Sequence, residues 1–500
     1  MENKENSRSG DSLQLRRSFG MKESVTITVG QVIGVGLFVT GANVVGLMGN
    51  HIILATLAAL LITVYPSLLY AEMGAAVPYS GGTYLYALLG LSKPMGFLAG
   101  WNYIIAIISV ASSEAFAFTF YFKTMFSAFG IELPVSDVIL ACLCILVFTV
   151  MNVRGVEMTG RMSNAFMFFF WGVAIVWFIM MIPNISLPHF VQKPSFMTGG
   201  PQSFIQNIAM VWWCFAGFEA CCSMSEEIKY PHINIPRAMM LSPFIILSVN
   251  LFFQWYLVGI VPPENLDKLA VATAPYAEAM MTAGILGIPL ALLAAGIAFG
   301  GGLSTMNSCI TTPPRTLFAM ARDGMLPQVF TKIHPKYKTP YISILFLGVI
   351  ALLLTMTNSV QYVASLSLFA DLFFYVIGII SAAGMRKKHP ELPRPYKAPA
   401  AGIGVPVSAV IYIIMMTQLG FSAIISGVAW AVFGMILYFG YQKYTGVAAS
   451  EELKLLVDTL EEPTAEEKRN MDREYKLWRN IVILAVIFSI ALYIFPYFTS

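Results

Sequence analysis

Charge is scarce in this sequence. Asp, Glu, Lys and Arg make up 11% of its 500 residues, hydrophobic residues make up 57%, and the mean hydropathy is +0.72. A soluble surface needs about 25–35% charged residues, so a water-soluble enzyme or binding domain is excluded. Histidine is scarcer still: His51, His189, His232, His334 and His389 lie in loops or at span ends, and no His–Cys constellation forms a catalytic or metal centre. The six cysteines (Cys142, Cys144, Cys214, Cys221, Cys222 and Cys309) all fall within apolar runs. Adjacent Cys221 and Cys222 point apart on a helix, so buried thiols rather than disulfides are expected. No Gly-Lys-Ser or Gly-Lys-Thr phosphate loop is present, which removes support for ATP-driven pumping. No pore repeat or charged ring suggests a channel, and the alternating ten-residue strands of a β-barrel are missing. The polar, basic first 22 residues carry no cleavage pattern, so a removable signal peptide is not expected.

What the chain has instead is apolar runs of about 20 residues, the length a helix needs to cross a bilayer. Lipid offers no partner to a free backbone amide or carbonyl, so each run is helical. Thirteen spans are expected, near 23–47, 52–74, 95–122, 136–153, 162–183, 203–224, 238–262, 282–312, 341–357, 361–384, 405–422, 425–442 and 479–497. With the N-terminus placed in the cytoplasm, the outside loops hold only Lys123, Lys193 and Lys268, leaving 27 of the 30 Lys and Arg inside. Basic residues near spans are retained on the cytoplasmic side, so this count supports a multi-pass protein of the cell membrane with a cytoplasmic N-terminus.

The first span contains Gly30, Gly34 and Gly36, and the sixth contains the run Trp213-Cys214-Phe215-Ala216-Gly217-Phe218-Glu219. Each helical glycine costs about 1 kcal/mol relative to alanine, so both helices are weakened at mid-span. Small residues also permit close helix packing, but two such clusters, five spans apart, point to an inverted repeat with a site at the broken helices. The expected architecture is an all-α membrane protein. It has a ten-helix inverted-repeat core (five plus five) with broken first and sixth helices, and two or three extra C-terminal helices. The divisions are a tail at 1–22, repeats at 23–200 and 201–400, accessory helices at 401–442, a charged cytoplasmic segment at 443–478 and a final helix at 479–500.

Broken helix ends expose amides with partial positive charge and carbonyls with partial negative charge. A zwitterion finds partners for both of its ends there. Amides near Gly34, Val35 and Gly36 suit a carboxylate, and carbonyls near Trp213, Cys214 and Ala216 suit an ammonium.

Ile33-Gly34-Val35-Gly36-Leu37-Phe38 resembles the first-span signature of the amino acid–polyamine–organocation transporters, of the bacterial amino acid permease type. The resemblance continues through Ala71-Glu72-Met73-Gly74, Pro78-Tyr79-Ser80-Gly81-Gly82-Thr83-Tyr84, Asn152-Val153-Arg154-Gly155-Val156, Gly217-Phe218-Glu219, Ile235-Pro236-Arg237, the run from Ala319 to Pro327 and Arg394-Pro395-Tyr396-Lys397. Together these cover roughly residues 20–400 in the family's order. The resemblance implies alternating access as a symporter or exchanger, with substrate held at Ile33, Gly34, Val35, Gly36, Trp213, Cys214, Ala216 and Gly217, and with Trp213 as the aromatic that closes over it. Two departures narrow the expectation. Val35 stands where Ser is frequent, and Phe170 stands near the position where some proton-coupled relatives place a Lys.

Buried carboxylates within a membrane point to function. Glu114, Glu219 and Asp371 are therefore candidates for gating or coupling, whereas Glu72 is expected to pair with a basic loop residue. Ser304, Thr305 and Ser308 offer oxygens for a candidate cation site, although such hydroxyls also bond backbone carbonyls. No metal or cofactor is expected beyond Na+ or H+ as coupling ion. The expected function is secondary transport of amino acids, with an amine, polyamine or ethanolamine-like organocation as the alternative cargo. The bilayer and that small molecule are the expected partners, and nucleic acid is not one.

Overall fold

A computed structural model describes residues 17–191, 200–358, 360–445 and 462–499. The tail before residue 17, the loop carrying Lys193 and much of the charged 443–478 segment lie outside these. Among the described residues the chain is helical, with one isolated β-bridge between Phe19 and Ile228. Among the described residues, eight helical stretches are long and apolar enough to cross a membrane. Asp137–Val153, Tyr341–Met356 and Ala401–Thr417 are shorter apolar helices. The protein is an all-α membrane protein.

The spans divide by burial. In the third, Lys93–Ser127, 94% of the apolar window is buried, against 28% in the twelfth (Phe421–Thr445) and 17% in the last (Ala465–Ile494). The third span is thus a central pillar and the C-terminal helices form the rim. Large apolar side chains such as Phe421, Ile436 and Leu484 stand exposed on that rim, as lipid-facing positions require. The last helix starts at a capping box in which Thr464 and Glu467 bond each other's backbone. It runs unbroken through Ile494, so the charged stretch from 465 and the final span form one element. It leans on the seventh span (Pro231–Ile260), where Trp255 Nε1 donates to Leu492 O (2.9 Å), Tyr493 Oη donates to Leu251 O (3.2 Å) and Arg237 pairs with Asp472.

Two departures from helical regularity position everything else. The first span is α-helical over Met21–Val32, breaks at Ile33 (φ −80°, ψ 80°), then resumes as a π-helical turn Gly36–Gly41 and a short helix Ala42–Met48. The sixth is helical over Gly200–Trp212, tightens to one 3-10 turn Trp213–Phe215, becomes extended at Ala216, and passes through Gly217 at φ +98° before the short helix Ala220–Ser223. That φ is strained for any residue with a Cβ, so glycine is needed there. The eighth span also unwinds, into a π-helical turn Gly296–Gly302 between Ile288–Ala295 and Leu303–Thr311.

Between the second and third spans, Thr83–Gly90 forms a short helix that is buried against the third and tenth (Val360–Lys388) helices rather than lying at a surface. Glu72 is paired as expected. Its carboxylate takes Arg386 in a two-pronged grip (Nε 2.8 Å, Nη2 2.5 Å), stands 3.5 Å from Arg394 Nε, and accepts from the Ala398 amide (2.7 Å). Glu72→Ala leaves the Ala398 amide without its acceptor and Arg386 without its counter-charge. The variant should lose about 1–3 kcal/mol, read as a lower melting temperature in detergent. An unchanged melting temperature would show that this clamp does not hold the tenth and eleventh helices together.

Candidate functional site

The two interrupted helices meet. A Cβ placed on Gly36 would stand 3.3 Å from Trp213 O and 3.4 Å from Cys214 Cα, so a side chain there would push the two backbones apart by a few tenths of an ångström. Cys214 Sγ donates to Gly36 O (3.1 Å), and Asn250 Nδ2 reaches Cys214 O (3.4 Å). The backbone groups freed by each break are thus partly met by the other helix, as burial within protein requires.

The third span supplies the central acid. Glu114, about 1% exposed, accepts the Val35 amide on Oε1 at 2.5 Å. The sequence reading gave that amide to a substrate carboxylate, whereas in the folded protein a carboxylate of the chain already occupies it. Gly34 makes this possible, because a Cβ there would overlap the Glu114 carboxylate and come within 2.5 Å of Thr305 Oγ1. Asp371, on the tenth span, accepts from Trp213 Nε1 (3.2 Å) and from the Ser367 hydroxyl (3.4 Å). One turn further, the Tyr375 hydroxyl accepts the Gly217 amide (2.8 Å) and donates to Glu219 Oε2. Ser367, Asp371 and Tyr375 are spaced four residues apart and share one helix face, so a single stripe of the tenth span holds the sixth-span break.

These groups surround a small central cavity lined by Gln31, Val35, Gly36, Glu114, Trp213 and Asp371 and walled further by Val32, Ile107, Val110, Ala216, Gly217 and Cys309. Its volume is about 20 Å³, room for roughly one water. Of the expected site residues, Val35, Gly36, Trp213, Ala216, Gly217, Glu114 and Asp371 line it. Ile33 and Gly34 shape the break without lining it, Cys214 faces the first span, and Glu219 stands behind the wall through Tyr375. Ser304, Thr305 and Ser308 lie along the first span instead. Thr305 Oγ1 donates to Ile33 O (2.9 Å) and Gly301 O (3.2 Å), Ser308 Oγ reaches Ile27 O (3.4 Å), and Ser304 Oγ sits beside Gly30.

Both ends of the cavity are closed. On the side away from the N-terminus, Phe38 packs edge to face against Phe170, Phe253 and Tyr276, with ring centroids 5.4–5.7 Å apart. Tyr121 Oη pins this turn by donating to Phe38 O (2.8 Å). On the N-terminal side, buried Arg315 meets Glu227 (3.2 Å), Arg322 meets Glu226 (2.8 Å), and Tyr84 Oη donates to Asp323 Oδ2 (2.8 Å). Burial holds the Asp323 carboxyl above the usual carboxylate range, partly offset by the Arg322 guanidinium beside it and the Tyr84 hydroxyl.

Sequence reasoning missed Gln31, Tyr375 and Ser367. Gln31 sits inside the first-span glycine cluster, and a polar amide amid that apolar run was its available signal. Tyr375 and Ser367 were recognisable only by their four-residue spacing from Asp371.

A protein-family model described as amino acid permease matches residues 19–441 of the chain. Curated relatives include the branched-chain amino acid permease BcaP of Bacillus subtilis (strain 168), 27% identical over 86% of this chain and 94% of its own. The methylthioribose transporter of the same organism is 26% identical over 86% and 95% of the two chains. The large neutral amino acids transporter small subunit 2 of Homo sapiens is 27% identical over 78% and 73%.

Proposed function

The chain belongs to the amino acid permease family, and we propose that it is a secondary active transporter, a symporter or exchanger, that moves amino acids across the cell membrane by alternating access. The observation that carries this reading is the meeting of two interrupted helices at a buried cavity closed by an aromatic cluster at one end and by ion pairs at the other. Such a site serves transport when the two closures open in turn. The cavity has too little room for an amino acid as it stands, so cargo binding requires the first and sixth helices to part from the third and tenth.

In this reading Gln31 Nε2, which lines the cavity beside the first-span break and has no hydrogen-bond partner, receives the cargo carboxylate. The cavity-lining carboxylates receive the ammonium, and Trp213 closes over the cargo. The N-terminus and the ion-pair closure face the cytoplasm, in line with the 27 of 30 basic residues counted on that side. Na+ or H+ is the coupling ion, and Glu219, held behind the wall by Tyr375, is the candidate proton carrier.

Purified protein in proteoliposomes preloaded with unlabelled amino acids should take up at least one labelled amino acid saturably. Imposing a proton or sodium gradient on the same vesicles then identifies the ion. Inserted protein that exchanges no amino acid under any gradient would overturn this function.

A further inference from the structure

Two acids face the central cavity, and no cationic side chain does. Among its lining residues Glu114 and Asp371 are the acidic ones, and no Lys, Arg or His joins them. Each carboxylate spends one oxygen on positioning: Glu114 Oε1 takes the Val35 amide and Asp371 Oδ2 takes the Trp213 indole. Each keeps its second oxygen, Glu114 Oε2 and Asp371 Oδ1, buried without a hydrogen-bond partner. An independent group on the same wall is also unpartnered: Gln31 Nε2, a donor, in a residue only 3% exposed. The wall therefore presents two unpartnered carboxyl oxygens and one unpartnered amide donor. Buried charges are retained when a counter-charge meets them. A zwitterion with an apolar side chain brings one ammonium, enough for one of the two carboxylates.

We propose that the cargo is an amino acid with a cationic side chain, its second positive charge held by Asp371. This rests on the amino acid transport reading and narrows its substrate class. The α-carboxylate goes to Gln31 Nε2, and the α-ammonium to Glu114 Oε2. The side-chain cation goes to Asp371 Oδ1, next to the Trp213 indole that Asp371 holds through its Nε1. Because Trp213 is itself held by Asp371, the residue that reads the cargo's charge also positions the aromatic that covers it.

Proteoliposome uptake of L-lysine, of L-norleucine (the same chain without the terminal amine) and of cadaverine (the same amine without the carboxylate) tests this. Wild-type protein should favour L-lysine over L-norleucine by about tenfold or more. Asp371→Asn should lower that ratio by about tenfold, and Asp371→Glu should restore much of it. Stabilisation of the detergent-solubilised protein by L-lysine, lost in Asp371→Asn, separates loss of binding from loss of fold. Preference for L-norleucine, or a ratio unchanged in Asp371→Asn, would overturn the proposal and leave amino acid transport standing. Uptake of cadaverine in place of L-lysine would support the two-charge site and overturn the amino acid reading. Uptake of none of the three overturns the proposal, and exchange of some other amino acid by the same vesicles would leave amino acid transport standing.

Discussion

Gly34→Leu should abolish uptake while the protein still reaches the membrane in normal amount. The position is crowded by function: a Cβ there would overlap the Glu114 carboxylate and press on Thr305 Oγ1. A leucine must push Glu114 off the Val35 amide, move the third span away, or straighten the first span into continuous helix. Any of these fills or dismantles the cavity, and an overpacked core costs about 1–3 kcal/mol. That is affordable in a protein of this size, so folding should survive. Binding should not, because a displacement of about 1 Å in a positioned site already costs about 100-fold. Uptake by Gly34→Leu within tenfold of wild type, at equal surface expression, would show that the first-span break is a packing feature rather than a substrate cradle. Gly172, where a Cβ meets nothing within 4 Å, is the control: Gly172→Leu should transport normally.

The second large effect is on stability. Arg315 and Glu227 are both fully buried. The guanidinium reaches Glu227 Oε1 through Nη2 (3.2 Å) and Nε (3.4 Å) and donates through Nη1 to Thr311 O (2.7 Å). Arg315→Ala leaves the Glu227 carboxylate buried and unpaired, and breaking a buried pair from one side costs about 3–5 kcal/mol. The backbone around Glu227 also anchors the N-terminal end of the chain, since Ser18 and Phe19 amides donate to Glu227 O (2.9 and 3.0 Å). The loss should therefore spread to the start of the first span. A melting temperature of the detergent-solubilised variant far below wild type is the expected result. The double variant Arg315→Met with Glu227→Leu should recover much of it, because a matched apolar pair leaves no orphaned charge. If Arg315→Ala melts with wild type, the pair is not structural. If the double variant transports with altered directionality, the pair acts mainly as a gate.

Much of the fold was legible because its signals are local. Apolar runs of membrane length, the distribution of Lys and Arg between them and the glycine clusters at Gly30–Gly36 and Gly217 can each be read within a few tens of residues. The first-span break fell at Ile33–Val35 for the same reason, since helix continuity is decided by neighbours in sequence. The division at 478 falls inside one helix, because charge marks where a helix leaves lipid and not where it stops. The helix runs on from 465.

By itself the sequence determined that this is a helical membrane protein with two mid-span interruptions and three acids within its apolar segments. The tertiary structure decided what those acids do. Glu114 is 79 residues from the amide it holds, Asp371 is 158 from Trp213, and Glu219 is 156 from Tyr375. No periodicity spans such distances, and every membrane helix exposes several faces of equal hydrophobicity. Which face turns inward is set by the packing of all the helices at once. Only that packing places two carboxylates and Gln31 around one cavity and leaves Glu219 behind its wall.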